Sequence, residues 1–214
     1  MVSDLANNSK NLWIKKHLSD SYVKKAKLLG FRSRAAFKLI EIDKNSNLIK
    51  PGISVLDLGA APGSWSQVVS KKINLSQIHH KKVIAALDLL PIQPIDGVKF
   101  IQGDFTEVKT IEKIVEIFNG EKIDLILSDI SPTLSGINAV DAVRINELGE
   151  LVLDFCKTHL SSRGCILVKT FHGSGHSQLI DKYKKVFSSV FKRKPDSSRS
   201  GSAEVFVLAK NLRF

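Results

Sequence analysis

The chain reads as an α/β protein, a mostly parallel sheet with helices on both faces. Three observations predict it. From Ile53 onward, short apolar runs alternate with stretches patterned as helices. Charged residues recur at the ends of these runs (Asp57, Asp88, Asp104, Asp129 and Lys169), and open sheets of this class bind ligands beyond the carboxyl ends of their strands. No repeat, low-complexity tract or Gly/Ser linker interrupts the 214 residues, so a single domain over 1–214 is expected, long enough to bury a sizeable core.

The elements follow in order. Residues 1–12 read as frayed, 13–50 as basic N-terminal helices and 51–214 as the α/β core. Tyr22 to Leu29 patterns as a short basic helix stopped by Gly30. Ser33 is placed to cap a second helix reaching about Asp43, with Ala36, Leu39 and Ile40 on its apolar face. Ile53, Val55, Leu56 and Leu58 make a strand over 53–58. Gly59 and Gly63 then open a tight turn, and a helix follows over 64–73. Further strands are expected at 83–88, 98–101, 123–129, 164–170 and 204–209, with helices near 107–118, 141–160 and 175–190. The Lys194-Pro195 break and a polar loop from Asp196 to Ser202 precede the last strand.

Composition narrows the function classes. No apolar run approaches the roughly 20 residues of a membrane helix. The N-terminal residues show no apolar signal core and no arginine before Arg32, so a cytoplasmic protein is expected. Cys156 and Cys165 are the only cysteines, too few for a disulfide framework or a cysteine zinc cluster. The net charge of +11 is unevenly spread. Residues 1–50 hold eleven Lys or Arg against four Asp or Glu, and 182–214 hold nine against two, while 51–181 hold twelve against fifteen. Basic ends around a slightly acidic centre suggest a polyanion gripped by the termini and a different ligand in the middle. Solubilising surface lysine is the plainer alternative, and charge alone does not separate RNA, DNA and acidic protein.

The turn from Asp57 to Trp65 identifies the central ligand. A glycine turn between strand and helix is where such sheets bind nucleotides. Asp57 would repel a dinucleotide pyrophosphate, and Gly59 and Gly63 do not match the G-x-G-x-x-G spacing. A cationic ligand would be welcome, and S-adenosylmethionine carries an ammonium and a sulfonium. The competing reading of Asp57 is a strand-ending carboxylate that caps the next helix. Asp88 is placed to accept hydrogen bonds from a ribose diol. Asp104 could meet an adenine amino group with Phe105 as apolar wall, or simply close an Asx turn after Gly103.

These segments resemble one family, the FtsJ/RrmJ-type large-subunit ribosomal RNA ribose 2′-O-methyltransferases. The resemblance rests on Ser33-Arg34-Ala35-Ala36-Phe37-Lys38-Leu39, the Asp57 to Trp65 turn, Asp88-Leu89-Leu90-Pro91 and Gly103-Asp104-Phe105. It continues through Ser128-Asp129-Ile130-Ser131-Pro132, Val168-Lys169 and Lys194-Pro195-Asp196-Ser197-Ser198-Arg199, in the same order from about Trp13 to the end. It implies a Rossmann-like S-adenosylmethionine-dependent methyltransferase fold. The bacterial branch is the nearer match, which implies a uridine in the A loop of 23S ribosomal RNA as substrate. Cofactor contacts are implied at Asp57, Gly59, Gly63, Ser64, Trp65, Asp88, Asp104 and Asp129. Two segments depart from the pattern. Ser64 stands where the family usually has Gly, adding bulk beside the methionine pocket, and Ser131-Pro132-Thr133 replaces Ala-Pro-Asn, so the contacts of that amide do not carry over.

The resemblance also assigns a catalytic set: Lys38, Asp129, Lys169 and Glu204. Sequence spacing does not show that they meet. The chemistry needs them, because a sulfonium is already an activated electrophile and a ribose hydroxyl is a poor acid. The protein must align the oxygen and help remove its proton. Lys169 is implied as that base or as a steering group, since desolvation and a neighbouring cation ease the loss of a lysine's proton. Lys38 is implied as the second cation, Asp129 as the group orienting the lysine, and Glu204 as a partner of the hydroxyl or of a lysine.

RNA grip is expected from Lys27, Arg32 and Arg34 beside Lys38, with Lys24 and Lys25, and from Lys194 and Arg199 before Glu204, with Lys192 and Arg193. A loop nucleotide with an exposed ribose is the natural target. Phe31 could stack on a base, whereas Phe37 suits the core better. His79-His80 reads as loop, and glycines 173 and 175 spoil the helical spacing of His172 and His176, so no metal is expected. Ser131 and Ser135 lack a nucleophile elbow, which leaves a hydrolase unsupported. The remaining alternatives are the same chemistry on transfer RNA, or a non-catalytic RNA-binding ribosome-assembly factor on the same fold. The expected partner is ribosomal RNA of the large subunit, with no membrane, and the expected state is a monomer.

Overall fold

The computed structural model describes residues 19–74, 82–133, 135–199 and 201–213. The expectations for residues 1–12 and for His79-His80 lie outside the described residues. Two helices come first, α1 (Ser21–Leu28) and α2 (Ala35–Ser46), followed by β1 (Val55–Leu58), α3 (Ser64–Asn74), β2 (Ile84–Asp88), β3 (Val98–Gln102) and α4 (Val108–Ile117). Then come β4 (Ile123–Ser128), α5 (Asn138–His159), β5 (Leu160–Phe171), α6 (His176–Val186), β6 (Phe187–Arg193) and β7 (Glu204–Leu212).

The seven strands form one sheet in the order β3-β2-β1-β4-β5-β7-β6. β1 to β5 run parallel, and β7 is antiparallel to both β5 and β6. This is the mostly parallel α/β sheet that the sequence alternation predicts, with the strand order reversing beside β1, where such sheets open a ligand crevice.

Strand alternation divides the core between two faces. Val55, Leu125, Leu127, Leu167, Phe206 and Leu208 pack under Ala36, Leu39 and Ile42 of α2 and Trp65, Val69 and Ile73 of α3. Leu56, Leu58, Ile126, Ile166, Val168 and Val207 pack under Ile114 of α4, Val152 and Cys156 of α5, and Leu179 and Tyr183 of α6. On β5, Lys169 falls on the face of Leu167, and on β7, Glu204 falls on the face of Phe206. Both therefore emerge on the side covered by α2 and α3.

Two local expectations are corrected. The helix expected to 190 ends at Val186, and Phe187–Arg193 is the edge strand β6. Ser33 is not the cap residue of α2, which is Arg34 with no side-chain capping bond, although Ser33 Oγ accepts the Ala35 N–H at 3.2 Å.

Candidate active site

The turn after β1 is shaped by a close approach. Gly59 has φ +74°, and a Cβ there would lie 2.6 Å from Ile130 N and 2.7 Å from Ile130 Cα. Only glycine lets β1 and the segment after β4 come so near while leaving a cleft at their carboxyl ends. That cleft is a cavity of about 390 Å³ lined by Gly59, Ala61, Asp88, Leu89, Leu90, Asp104, Phe105, Asp129, Ile130 and Pro132 among others. A smaller recess of about 50 Å³ shares Gly59, Ala61 and Asp129 with it and adds Ser33, Pro62, Ser64 and Trp65. Together they make an elongated, largely apolar groove with carboxylates along it.

Asp88 ends β2, accepting Ala61 N–H at 2.8 Å and Leu90 N–H at 2.9 Å. These bonds hold its carboxylate at the cavity wall. Asp104 also lines the cavity, and its Oδ1 accepts the N–H and the hydroxyl of Thr106, each at 2.8 Å, so the Asx turn foreseen as an alternative does form. Phe105 is both wall and core, packed against Phe155 at 5.4 Å between ring centres. Ser64 is buried, with its hydroxyl 2.7 Å from Ser33 Oγ, and Trp65 donates Nε1–H to Ala35 O at 2.8 Å, tying α3 to α2.

Asp57 sits elsewhere than a direct ligand would. It is 1% exposed and belongs to the lining of neither recess. Its Oδ2 accepts Ser66 Oγ at 2.6 Å, a side-chain contact with the first turn of α3, the helix that the competing reading has it cap. Its Oδ1 accepts no hydrogen bond among the described residues. Burial pushes its carboxyl up to about 7, aided by the nearby charges of Asp129 and Asp88 and opposed by Ser66.

The four residues assigned to catalysis form two ion pairs. Lys169 Nζ lies 3.0 Å from Asp129 Oδ1 and donates to the Asp129 carbonyl at 2.8 Å. Lys38 Nζ, reaching down from α2, lies 2.6 Å from Glu204 Oε2. Ser198 Oγ donates to Glu204 Oε1 at 3.0 Å, so both carboxylate oxygens are engaged. Phe206 links the pairs: it faces Lys169 across the β5–β7 ladder, stands two residues after Glu204, and has Lys38 Nζ 5.7 Å from its ring centre. Lys169 and Asp129 adjoin the groove, because Asp129 lines both recesses.

The expected RNA-contacting residues divide into two groups. Lys27, Lys194 and Arg199 are exposed, and Lys194 Nζ also donates to Ser202 O at 3.1 Å. Arg34 is engaged inside the chain, paired with the α1 cap residue Asp20, bonded to Ser197 O and set over the Tyr22 ring. Arg32 is engaged too, donating to Pro62 O and Pro94 O, each at 2.9 Å. Phe37 is buried, as core packing required, and its ring meets Tyr22 and Phe31.

Ser198, the clamp on Glu204, was not singled out from the sequence beyond its place in a motif, and a serine in a polar loop gives no signal of it. Leu89 and Leu90 had one: they are large apolar residues in a loop directly after a strand-ending Asp, and they are 63% and 65% exposed at the cavity mouth. Among the described residues no group of three or more His, Cys, Asp or Glu could hold a metal ion, and no helix is long and apolar enough to cross a membrane.

The groove fits S-adenosylmethionine. It offers apolar walls at Leu89, Leu90, Phe105 and Pro132 for a ring, Asp88 for a diol, and the Asp129 carboxylate for cationic groups. Known proteins agree. The FtsJ-like methyltransferase family profile matches residues 31–212. The chain is 46% identical to the ribosomal RNA large subunit methyltransferase E of Paraburkholderia phymatum over 219 aligned positions, covering 98% of this chain and 99% of that one. A solved Plasmodium falciparum structure assigned as a ribosomal RNA methyltransferase superposes with TM-score 0.76 and 32% identity, over 85% of this chain and 98% of that one. Human methyltransferase-like protein 13 in complex with SAH shares the fold alone, at TM-score 0.54 and 16% identity over 83% of this chain and 81% of that one. The chain belongs to the FtsJ-like methyltransferase family, and its cofactor is S-adenosylmethionine.

Proposed function

We propose that this chain methylates the ribose 2′-oxygen of a uridine in the A loop of 23S ribosomal RNA, acting on the large ribosomal subunit as a cytoplasmic monomer. The observation that carries the reading is Lys169, 8% exposed at the end of β5 and held by Asp129 through side chain and backbone beside the groove. The near identity in length and the 46% identity to a large-subunit methyltransferase support the choice of RNA.

When bound, the cofactor supplies a methyl group already activated by a positively charged sulfur. The chain must then align the ribose oxygen and let its proton leave. Lys169 donates a hydrogen bond to the 2′-oxygen and steers it toward the methyl group, and the hydroxyl proton passes to solvent as the oxygen–methyl bond forms. Asp129 fixes Lys169 by its two contacts and adds negative charge at the cationic end of the groove. Lys38 stabilises the negative charge that develops on the oxygen, and Glu204 holds Lys38 in place. Exposed Lys24, Lys25, Lys27, Lys192, Lys194 and Arg199 grip phosphates on either side, which makes binding strongly salt-dependent.

The test is transfer of a labelled methyl group to unmodified large subunits, free ribosomal RNA and transfer RNA in parallel. Label on large-subunit RNA supports the proposal. Label on transfer RNA alone keeps the chemistry and overturns the substrate. Binding of cofactor and RNA with no transfer to any of them points to an assembly factor.

A further inference from the structure

Arg32 lies in the basic N-terminal stretch, where the sequence suggests a phosphate contact. Its surroundings assign it other work. The backbone N–H of Arg32 donates to Gln67 Oε1 of α3 at 2.9 Å, which anchors the residue to the helix that follows the glycine turn. Its guanidinium then bridges two loops. Nη1 donates to Pro62 O in the turn after β1, and Nη2 donates to Pro94 O in the loop after β2, each at 2.9 Å. These loops form two sides of the cofactor groove: Pro62 lines the small recess, and Leu89 and Leu90 line the main cavity.

The two loops are also joined at their base, where Ala61 N–H donates to Asp88 Oδ2 at 2.8 Å. Arg32 supplies a second joint farther out. Gly63 shows how tightly that joint is packed. It has φ +104°, and a Cβ there would lie 2.5 Å from Arg32 Nη1 and 2.9 Å from Ile95 Cδ1. The absent side chain at 63 is thus the space in which guanidinium, turn and loop meet. A planar fork donating to two carbonyls at once is a task for arginine, because a lysine ammonium on its flexible stem lacks that geometry.

We propose that Arg32 is a positioning residue for the cofactor, a clamp that pre-organises the two loops flanking the groove, and not a phosphate-binding residue. The inference rests on the reading of this groove as the S-adenosylmethionine site. Loss of the clamp leaves two loops to be ordered on binding, a cost that falls on cofactor affinity. Loss of a phosphate contact would instead weaken RNA binding and flatten its salt dependence by about one unit of slope.

The experiment compares wild type, Arg32→Ala and Arg32→Lys by calorimetric titration with S-adenosylmethionine and by binding of ribosomal RNA across a salt series. Both variants are expected to bind the cofactor roughly tenfold more weakly or worse, the loss of one to two charge-assisted hydrogen bonds. Their RNA salt slopes are expected to match the wild type, and kcat at saturating cofactor is expected to recover while the KM for cofactor rises. Cofactor affinities within twofold of wild type in both variants would overturn the proposal, as would a salt slope reduced in Arg32→Ala and restored in Arg32→Lys. If Arg32→Ala melts below the assay temperature, Arg32→Lys alone decides on the same readouts. Failure of the wild type to bind the cofactor would count against the groove assignment itself, a result distinguishable from normal binding by the variants.

Discussion

The Lys38 ammonium lies 2.6 Å from Oε2 of Glu204, a residue 166 positions later in the chain, while Ser198 Oγ holds the other carboxylate oxygen at 3.0 Å. Helix α2 and the first residue of β7 thus share one ion pair at the rim of the sheet. With both oxygens engaged, the Glu204 carboxylate is held in place against Lys38. Their side chains are only 15% and 10% exposed, so removing either partner strands a charge that water does not easily reach. Glu204→Ala is therefore expected to lose about 3 kcal/mol of stability and to lower kcat roughly 10²-fold with the cofactor affinity unchanged. Urea melts and single-turnover transfer measure the two effects. An unchanged melting midpoint would show that the pair contributes nothing.

The Asp57 carboxyl, pushed up to about 7 by burial, predicts a signed pH dependence. Its unfolded value is near 3.9. Between these two values the folded chain holds a proton that the unfolded chain has released, so this group's stabilisation is complete below about pH 4 and is lost as pH rises through about 7. His176, pushed down to about 4 by burial and by the neighbouring charges of His172 and Lys192, acts oppositely from about pH 4 to 6.5. The Asp57 contribution is isolated by comparing wild type with Asp57→Asn from pH 5 to 8. The stability of the variant relative to wild type is expected to rise across this range and level off above about pH 7. A constant difference at every pH would contradict the assignment.

Two glycines with nearly equal φ separate strain from crowding. Gly59 (φ +74°) and Gly120 (φ +72°) both occupy the left-handed region, but a Cβ at 120 meets nothing within 4 Å, whereas one at 59 collides with the Ile130 backbone. Gly120→Ala is expected to cost about 1 kcal/mol. Gly59→Ala is expected to cost at least about 3 kcal/mol and to abolish cofactor binding, because backbone must move at the groove floor. Thermal melts of both variants, with calorimetry on the second, check this. Equal destabilisation would mean that Ile130 yields easily.

The sequence already showed most of the sheet, because strands β1 to β5 and β7 end or begin at charged or glycine positions that interrupt their apolar runs. It concealed β6. Tyr183, Val186, Phe187 and Val190 recur at helical spacing, yet Phe187 to Arg193 pair with β7, whose open edge offers a ladder that no local pattern reveals. The site was legible as residue types at strand ends, and the family resemblance pointed to the four candidate catalytic residues. Their pairing was not legible, since Lys38 with Glu204 and Lys169 with Asp129 depend on which strands and helices become neighbours. Charge counting treated Arg32 and Arg34 as equal to Lys27, because a local run of basic residues does not show which of them find carbonyls and carboxylates within the fold.

The most direct test of the account is the position of the methyl group and its dependence on Lys169. Wild type and Lys169→Ala are each incubated with labelled S-adenosylmethionine and unmodified large subunits, and the labelled nucleotide is isolated and analysed for its site of methylation. Wild type is expected to yield a 2′-O-methylated uridine, and Lys169→Ala to transfer at least roughly 10²-fold more slowly with a cofactor affinity within a few-fold of wild type. Full turnover by the variant, or a methyl group on the base rather than on the ribose oxygen, would contradict the account.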